Sequence, residues 1–327
     1  AYFQIVAFAY LPMALSTVLS AWLRCKDHAA IPFLASLGAV AANTGLNYLL
    51  IFGKLGFAPM GVRGAAIATL ISQLLNFLLI LLGFAAGLKK DGTHPLWTLH
   101  FTTITLRKYA GMVLPILVSE FLWSLGQNVE SAVYGHLGTA NLAAYTLTCP
   151  IQSLIVGALS GLSAAAGVMV GKQLGRKAYD AAYRDARSIM LTGLVGSVCV
   201  AALLMLFAGT YTGLYRVAAD VQALGKTLLI VFALYAPVKV ENMILSGGIL
   251  RSGGKTKLIL VIDTLGTWGI GVPLCLLGAY VLHWGIVGVY ALLTTEEIIR
   301  LLISLFIFQN RSWMVSLSDK KTGYAPQ

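Results

Sequence analysis

The sequence predicts an all-α, polytopic membrane protein with about nine transmembrane helices, and three observations carry that prediction. Of its 327 residues 58% are hydrophobic and 11% charged, whereas a soluble domain carries roughly 25% charged residues. Most of this surface therefore cannot face water. The apolar residues also gather into nine runs near the length a helix needs to cross about 30 Å of hydrocarbon. Finally, the basic residues alternate between the loops, heavily on one side and sparsely on the other.

The nine runs cover 4–24, 31–53, 62–86, 111–135, 141–170, 188–211, 226–250, 258–281 and 286–308. Each is long and continuously apolar, without the ten-residue alternation of a membrane barrel, so each reads as a helix. The first, third, fifth and seventh loops and the tail hold Arg24, Lys26, Lys89, Lys90, Arg107, Lys108, Lys172, Arg176, Lys177, Arg184, Arg187, Arg251, Lys255, Lys257, Arg311, Lys320 and Lys321. The alternate loops hold only Lys54, Arg63, Arg216 and Lys226. A bias of this size marks the basic side as cytoplasmic and puts the C-terminus there. It also accounts for the formal charge of +11 without any nucleic-acid partner. Cys25, Cys149, Cys199 and Cys275 are scattered and suit neither a disulfide framework nor a metal site.

The chain repeats itself. Phe8-Ala9-Tyr10-Leu11-Pro12 in the first span answers to Phe232-Ala233-Leu234-Tyr235-Ala236-Pro237 in the seventh, and Arg24 answers to Arg251. Gly61-Val62-Arg63-Gly64 opens the third span as Gly285-Ile286-Val287-Gly288 opens the ninth. Spans one to three thus resemble spans seven to nine in the same orientation, the mark of two lobes around an axis along the membrane normal. The first span ends on the cytoplasmic side, so the chain is expected to lack an odd number of preceding spans; a six-span second lobe makes that number three.

Several segments carry a family resemblance. Asn47-Tyr48-Leu49-Leu50-Ile51-Phe52-Gly53 with Gly61 to Thr69, and Leu114-Pro115 through Glu120 to Gly126, are two of them. Tyr134-Gly135-His136-Leu137-Gly138, Gly171-Lys172-Gln173-Leu174-Gly175 and Gly248-Ile249-Leu250-Arg251-Ser252-Gly253-Gly254 are the others. Together they resemble the bacterial branch of the multidrug and toxic compound extrusion (MATE) family. The resemblance implies a two-lobe bundle of twelve helices, of which this chain carries the fourth to twelfth and lacks the first three. Residues 1–87 are then the second half of a truncated N-terminal lobe, 88–110 a cytoplasmic linker, 111–308 the C-terminal lobe and 309–327 a cytoplasmic tail.

Charges inside the spans need a reason, because an unpaired charge at the bilayer centre is unfavourable by about 3 kcal/mol or more. The in-span acids are Glu120, Glu130, Glu241, Asp263, Glu296 and Glu297, all in the second lobe. Helical rise puts Glu120 and Glu241 at similar depth, about 13 Å from the cytoplasmic ends of their spans. There they either share a proton or small cation or serve as structural ion pairs. Glu120, Glu241 and Asp263 are the coupling candidates. Glu296 and Arg300, four apart with Glu first, form a structural pair on one helix face. Lys239 and Arg300 are available to neutralise Glu241 or Asp263, and Glu130 is expected near the outer surface, solvated.

Trp123, Gln127, Asn128, Tyr145, Asn43 and Asn47 are candidates for the wall of a substrate cavity. Gly157-x-x-x-Gly161 and Gly167-x-x-x-Gly171 are read as close-packing motifs. Pro12, Pro115, Pro150, Pro237 and Pro273 bend their helices.

The expected function is a secondary active efflux transporter, an antiporter exporting organic cations or drugs in exchange for protons or sodium by alternating access. It needs no cofactor or metal, works as a monomer in the bilayer of a bacterial inner membrane, and takes a small organic cation as substrate. One alternative is a flippase for lipid-linked oligosaccharides, disfavoured because the in-span acids outnumber the in-span bases Lys239 and Arg300. Another is a chain that transports nothing. An enzyme or ATP-driven pump is not expected, since the chain has no HExxH, no Gly-x-Ser-x-Gly and no phosphate-binding loop.

Overall fold

The computed structural model describes residues 2–56, 58–90 and 103–315, which are helical with no strand among them. Among the described residues nine membrane-length helices follow in order: α1 (Tyr2–Cys25), α2 (Ala30–Phe52), α3 (Val62–Lys90), α4 (Thr103–His136), α5 (Thr139–Gly175), α6 (Tyr179–Gly213), α7 (Ala219–Leu250), α8 (Thr256–Val281) and α9 (Ile286–Gln309). The first eight are long and apolar enough to cross a bilayer on composition alone. The ninth carries Glu296, Glu297 and Arg300 around its middle.

The helices run past the apolar spans read from sequence. Lys172 lies inside α5, and Arg184 and Arg187 lie in the first turns of α6 rather than in a loop. Hydropathy marks the hydrocarbon depth of a segment, whereas hydrogen bonding carries a helix on through the polar headgroup layer. For the same reason the expected linker is short: 88–90 belong to α3 and 103–110 to α4. The remaining linker residues 91–102, and tail residues 316–327, lie outside the described residues.

The connections are tight and use special backbone conformations. Gly53 caps α2 at φ +66° and returns its N–H to the Leu49 carbonyl. Gly138, between α4 and α5, sits at φ +125°, a region open to glycine and strained for any side chain.

The chain divides into two units, one carrying α1–α3 and the other α4–α9. In the first, α3 packs against both α1 and α2, which barely touch each other. Leu23, Ala35 and Ile80 form its buried core, with Trp22 edge-on to Phe84 at 4.7 Å. Asn43 donates to Ser72 at 3.1 Å, and Asn47 donates to Asn43 at 3.0 Å. This asparagine chain ties α2 to α3.

In the second unit α9 stands to α7 and α8 as α3 stands to α1 and α2. Helix α7 is buried over most of its length and packs against α5, α6 and α9. One core cluster gathers Tyr134, Leu228, Leu229, Phe232 and Val289; a second gathers Ile244, Leu245, Ile249, Phe308 and Trp313.

Three stretches depart from α geometry: Met243–Leu250 at the end of α7, and Leu265–Gly271 and Leu277–Val281 in α8 are π-helical. Pro273 cannot donate to the carbonyl four residues back, and the wider turn lies directly before it.

Close packing of α5 comes from half of the glycines expected to provide it. At Gly167 and Gly171 an added Cβ would lie 3.6 Å from the Gly248 carbonyl oxygen and 3.7 Å from Ser252 Cβ. At Gly157 and Gly161 it would meet open space, so that pair closes no contact here. A closer approach to α5 is made by Gly248 of α7, where a Cβ would come 2.5 Å from the Ser163 carbonyl oxygen. Gly248→Ala should therefore destabilise the protein by about 1–3 kcal/mol through overpacking against backbone, seen as a lowered midpoint in thermal unfolding of the detergent-solubilised chain. Gly161→Ala should leave the midpoint unchanged or slightly raised, because alanine is the better helix former.

Candidate functional site

The polar residues of the second unit fall in stripes. On α4, Ser119, Trp123, Gln127, Glu130 and Tyr134 recur at spacings of three and four, which aligns them on one face. Helix α7 presents Lys239, Asn242 and Ser246; α8 presents Asp263 and Thr267; α9 presents Tyr290, Thr294, Glu297 and Arg300. These faces converge on two cavities. The larger, about 280 Å³, is lined by Ser119, Glu120, Asn242, Ser246, Arg251 and Asp263 among others. The smaller, about 90 Å³, is lined by Gln127, Glu130, Tyr134, Tyr145, Thr267, Tyr290 and Glu296. Trp123, Lys239, Glu297 and Arg300 line both, so the two are neighbours separated by a charged wall.

Each acid at these cavities has a partner. Glu120, whose side chain is 55% exposed, meets Arg251 at 2.8 Å, joining α4 to the end of α7. Asp263 accepts a 2.7 Å hydrogen bond from Ser119, joining α8 to α4. In the wall, Lys239 lies 3.4 Å from Glu297, and Asn242 donates to both the carboxylate and the backbone carbonyl of Glu297 at 2.8 and 2.7 Å. Glu130 accepts from Gln127 at 2.9 Å. From Glu120 to Glu130 the helix rises about 15 Å, so the carboxylates are spread along the membrane normal rather than gathered at one depth.

The most enclosed pair is Glu296 and Arg300, 2.8 Å apart. Arg300 also donates to the Thr267 hydroxyl at 3.2 Å. Glycines make room for it. A Cβ on Gly271 would collide with the Glu296 carboxylate, and one on Gly266 would lie 2.8 Å from Arg300 Nε. A Cβ on Gly126 of α4 would collide with the methyl of Thr267. The π turn Leu265–Gly271 thus forms a notch that receives the charges of α9 on one side and is seated on α4 on the other, where Trp268 donates to the Leu122 carbonyl at 3.1 Å.

Hydrogen-bonding capacity remains. The Tyr134 hydroxyl, Asn242 Oδ1 and Arg300 Nε are buried with no partner among the described residues. A polar or charged guest entering the cavities meets prepared groups.

The structure separates several sequence candidates. Glu120 and Asp263 line one cavity, but Glu241 lines a different one between α6 and α9 and does not meet Glu120. The sequence put the two at similar depth, and depth alone cannot bring side chains together when they face different cavities. Lys239 pairs with Glu297 rather than with Glu241 or Asp263. Glu130 is buried, 3% exposed, rather than solvated at the surface. Asn128 is exposed and bonds back to the Ser124 carbonyl of its own helix at 2.7 Å, off both cavities. Trp123, Gln127 and Tyr145 do line them, whereas Asn43 and Asn47 belong to the first unit. Glu130, Asn242, Thr267 and Glu297 are the site residues that sequence reasoning missed. The stripe from Ser119 to Tyr134 held the signal for Glu130.

The MatE family model matches residues 115–277. The chain is 23% identical over 319 residues to the uncharacterized transporter YisQ of Bacillus subtilis, covering 96% of this chain and 68% of YisQ. It is 30% identical over 258 residues to a probable multidrug resistance protein NorM of Pasteurella multocida, covering 77% of this chain and 53% of that protein. The chain thus spans between half and about two thirds of the length of these relatives. Among solved structures, the Vibrio cholerae MATE transporter VcmN in its bent form superposes with a TM-score of 0.79 at 19% identity, over 95% of this chain and 69% of that one. A MATE structure in the straight conformation superposes at 0.83 and 20% identity, over 98% and 70%. At such identities the likeness is one of fold.

The notch gives a direct test of its energetics. Arg300→Met should strand a buried carboxylate and destabilise the protein by about 3–5 kcal/mol, while Arg300→Met with Glu296→Leu should recover most of that loss. Unfolding by titration with dodecyl sulfate measures both.

Proposed function

The chain belongs to the multidrug and toxic compound extrusion (MATE) family, and on that premise we propose that it acts as a secondary active efflux transporter, exporting organic cations or drugs in exchange for protons or sodium by alternating access. The observation that carries this reading is the pair of adjoining cavities within α4–α9, walled by ionisable side chains whose pairing a transported or coupling cation can displace. The carboxylates Glu120, Glu130, Asp263, Glu296 and Glu297 outnumber the cations Lys239, Arg251 and Arg300 there, which favours cationic over anionic cargo. Arg251 adds a base to the cavity that the span boundaries had put in a loop, so the excess of acid is smaller than the sequence suggested.

Glu120 is the coupling residue in this reading, with Asp263 beside it. Its bond to Arg251 is a single contact between α4 and the end of α7. A proton or sodium ion on Glu120 competes with Arg251 for the carboxylate, so occupancy and helix separation are linked, as exchange transport requires. The Lys239–Glu297 wall is the next step for a charge moving to the smaller cavity: the pair is loose at 3.4 Å, and Lys239 is part-exposed. Trp123, Gln127 and Tyr145 supply aromatic and polar surface for cargo.

The chain is a multi-pass membrane protein whose named relatives are bacterial. We assign it to the bacterial inner membrane with the α9 end cytoplasmic, following the basic residues, and as a monomer working without a cofactor.

Reconstituted into proteoliposomes with an imposed proton or sodium gradient, the chain should drive movement of ethidium, and Glu120→Gln should slow the initial rate at least tenfold. An undiminished rate in Glu120→Gln would refute the coupling assignment. No gradient-driven movement by the unaltered chain, under either ion, would overturn the reading itself.

A further inference from the structure

Glu241 is left over by every interaction described so far. It is 6% exposed, and its Oε1 has no partner among the described residues. The other five in-span acids each have a hydrogen bond or ion pair. A buried carboxylate without a partner is unfavourable, so its surroundings bear on what satisfies it.

Those surroundings form a third cavity of about 540 Å³, the size of a drug-sized ligand. Its walls are apolar: Met190, Leu191 and Leu194 from α6, Leu301 and Leu305 from α9. Glu241 of α7 is its acid. Gly193 lets the carboxylate lie flush against α6, since a Cβ there would come within 3.2 Å of Glu241 Oε1. The rim is exposed, with Leu191 at 62% and Leu194 at 43%, so an apolar guest can enter from the surrounding hydrocarbon. One end is built of stacked rings: Tyr183 lies 4.9 Å from Phe308, and Phe308 lies 5.7 Å from Trp313. Arg311 covers Tyr183 at 4.4 Å. Arg187 also lines the cavity, six residues before Gly193 on α6 and so about 9 Å along the axis from the carboxylate.

We infer that this fissure between α6 and α9 is a second ligand site that takes a lipophilic organic cation, its charge against Glu241 and its apolar body along the leucines of both helices. Charge complementarity selects the occupant. A neutral acyl chain fills the volume and leaves the carboxylate unmatched, and an anion meets it with like charge. The fissure shares no lining residue with the two cavities read as the transport path, so the site does not rest on that reading.

The probe is radiolabelled tetraphenylphosphonium, bound at equilibrium and without any gradient to the purified chain in phosphatidylcholine nanodiscs. One saturable site should be weakened at least tenfold in Glu241→Gln and also weakened in Leu305→Trp, whose indole occupies part of the cavity. Tetraphenylborate, of the same size and opposite charge, should not displace the probe. Leu194→Trp, on the exposed rim, serves as a second filling variant if either change lowers the unfolding midpoint. Unchanged affinity in Glu241→Gln and in both filling variants would overturn the assignment. So would displacement by tetraphenylborate as readily as by unlabelled cation, which identifies an acyl-chain slot. Absence of transport in the proteoliposome experiment leaves this binding result intact, so the two readings fail separately.

Discussion

Charge held inside an apolar bundle is the constraint on which the rest of the second unit depends. Glu296 and Arg300 sit one turn apart on α9, 2.8 Å from each other, and they are tolerable there because α8 yields space for them. Gly266 and Gly271 have no Cβ to exclude the two side chains, and the π turn between them opens the helix while Thr267 bonds to the guanidinium. Without that notch α9 could not close on α8, and the polar faces of α4, α7 and α9 would not meet. The cavities therefore follow from a packing solution to a desolvation problem.

The same logic runs through the other charges. Glu120 with Arg251, Asp263 with Ser119, and Glu297 with Lys239 and Asn242 are cross-helix contacts. Each is both a means of neutralising a charge and a mechanical tie between helices. That dual role fits the exchange proposed above: replacing one partner of a tie by a mobile cation releases the tie without leaving a bare charge. The ties differ in strength. The α9 notch is enclosed and glycine-moulded, whereas the Glu120–Arg251 contact is half-exposed, and solvent screening weakens exposed pairs. The notch is the firmer tie, and the exposed pair is the weaker one.

Glu241 stands apart because α7 is the central helix and shows different faces to different neighbours. Its Lys239, Asn242 and Ser246 turn to the α4 and α9 side. Glu241, two residues after Lys239, turns to α6. Two steps of a helix amount to about 200° of rotation, so residues close in sequence serve cavities on opposite sides.

Composition and periodicity alone determined the helical membrane class and the nine helices in their order, because spanning hydrocarbon demands long runs of apolar residues whatever their partners. They also held the α4 stripe from Ser119 to Tyr134, since positions three and four apart must share a face. Helix ends were less legible: Arg184 and Arg187 look like loop residues by hydropathy, yet backbone hydrogen bonding carries the helix through them. Which acid meets which base was decided only by the tertiary structure. Glu120 with Arg251 spans 131 residues of sequence, Glu130 is buried where its position near a span end suggested water, and Gly157 with Gly161 face open space despite their spacing. The physical reason is one throughout. Rotation about a helix axis and the choice of neighbouring helix are set by how all the faces pack at once, and no single segment records that choice.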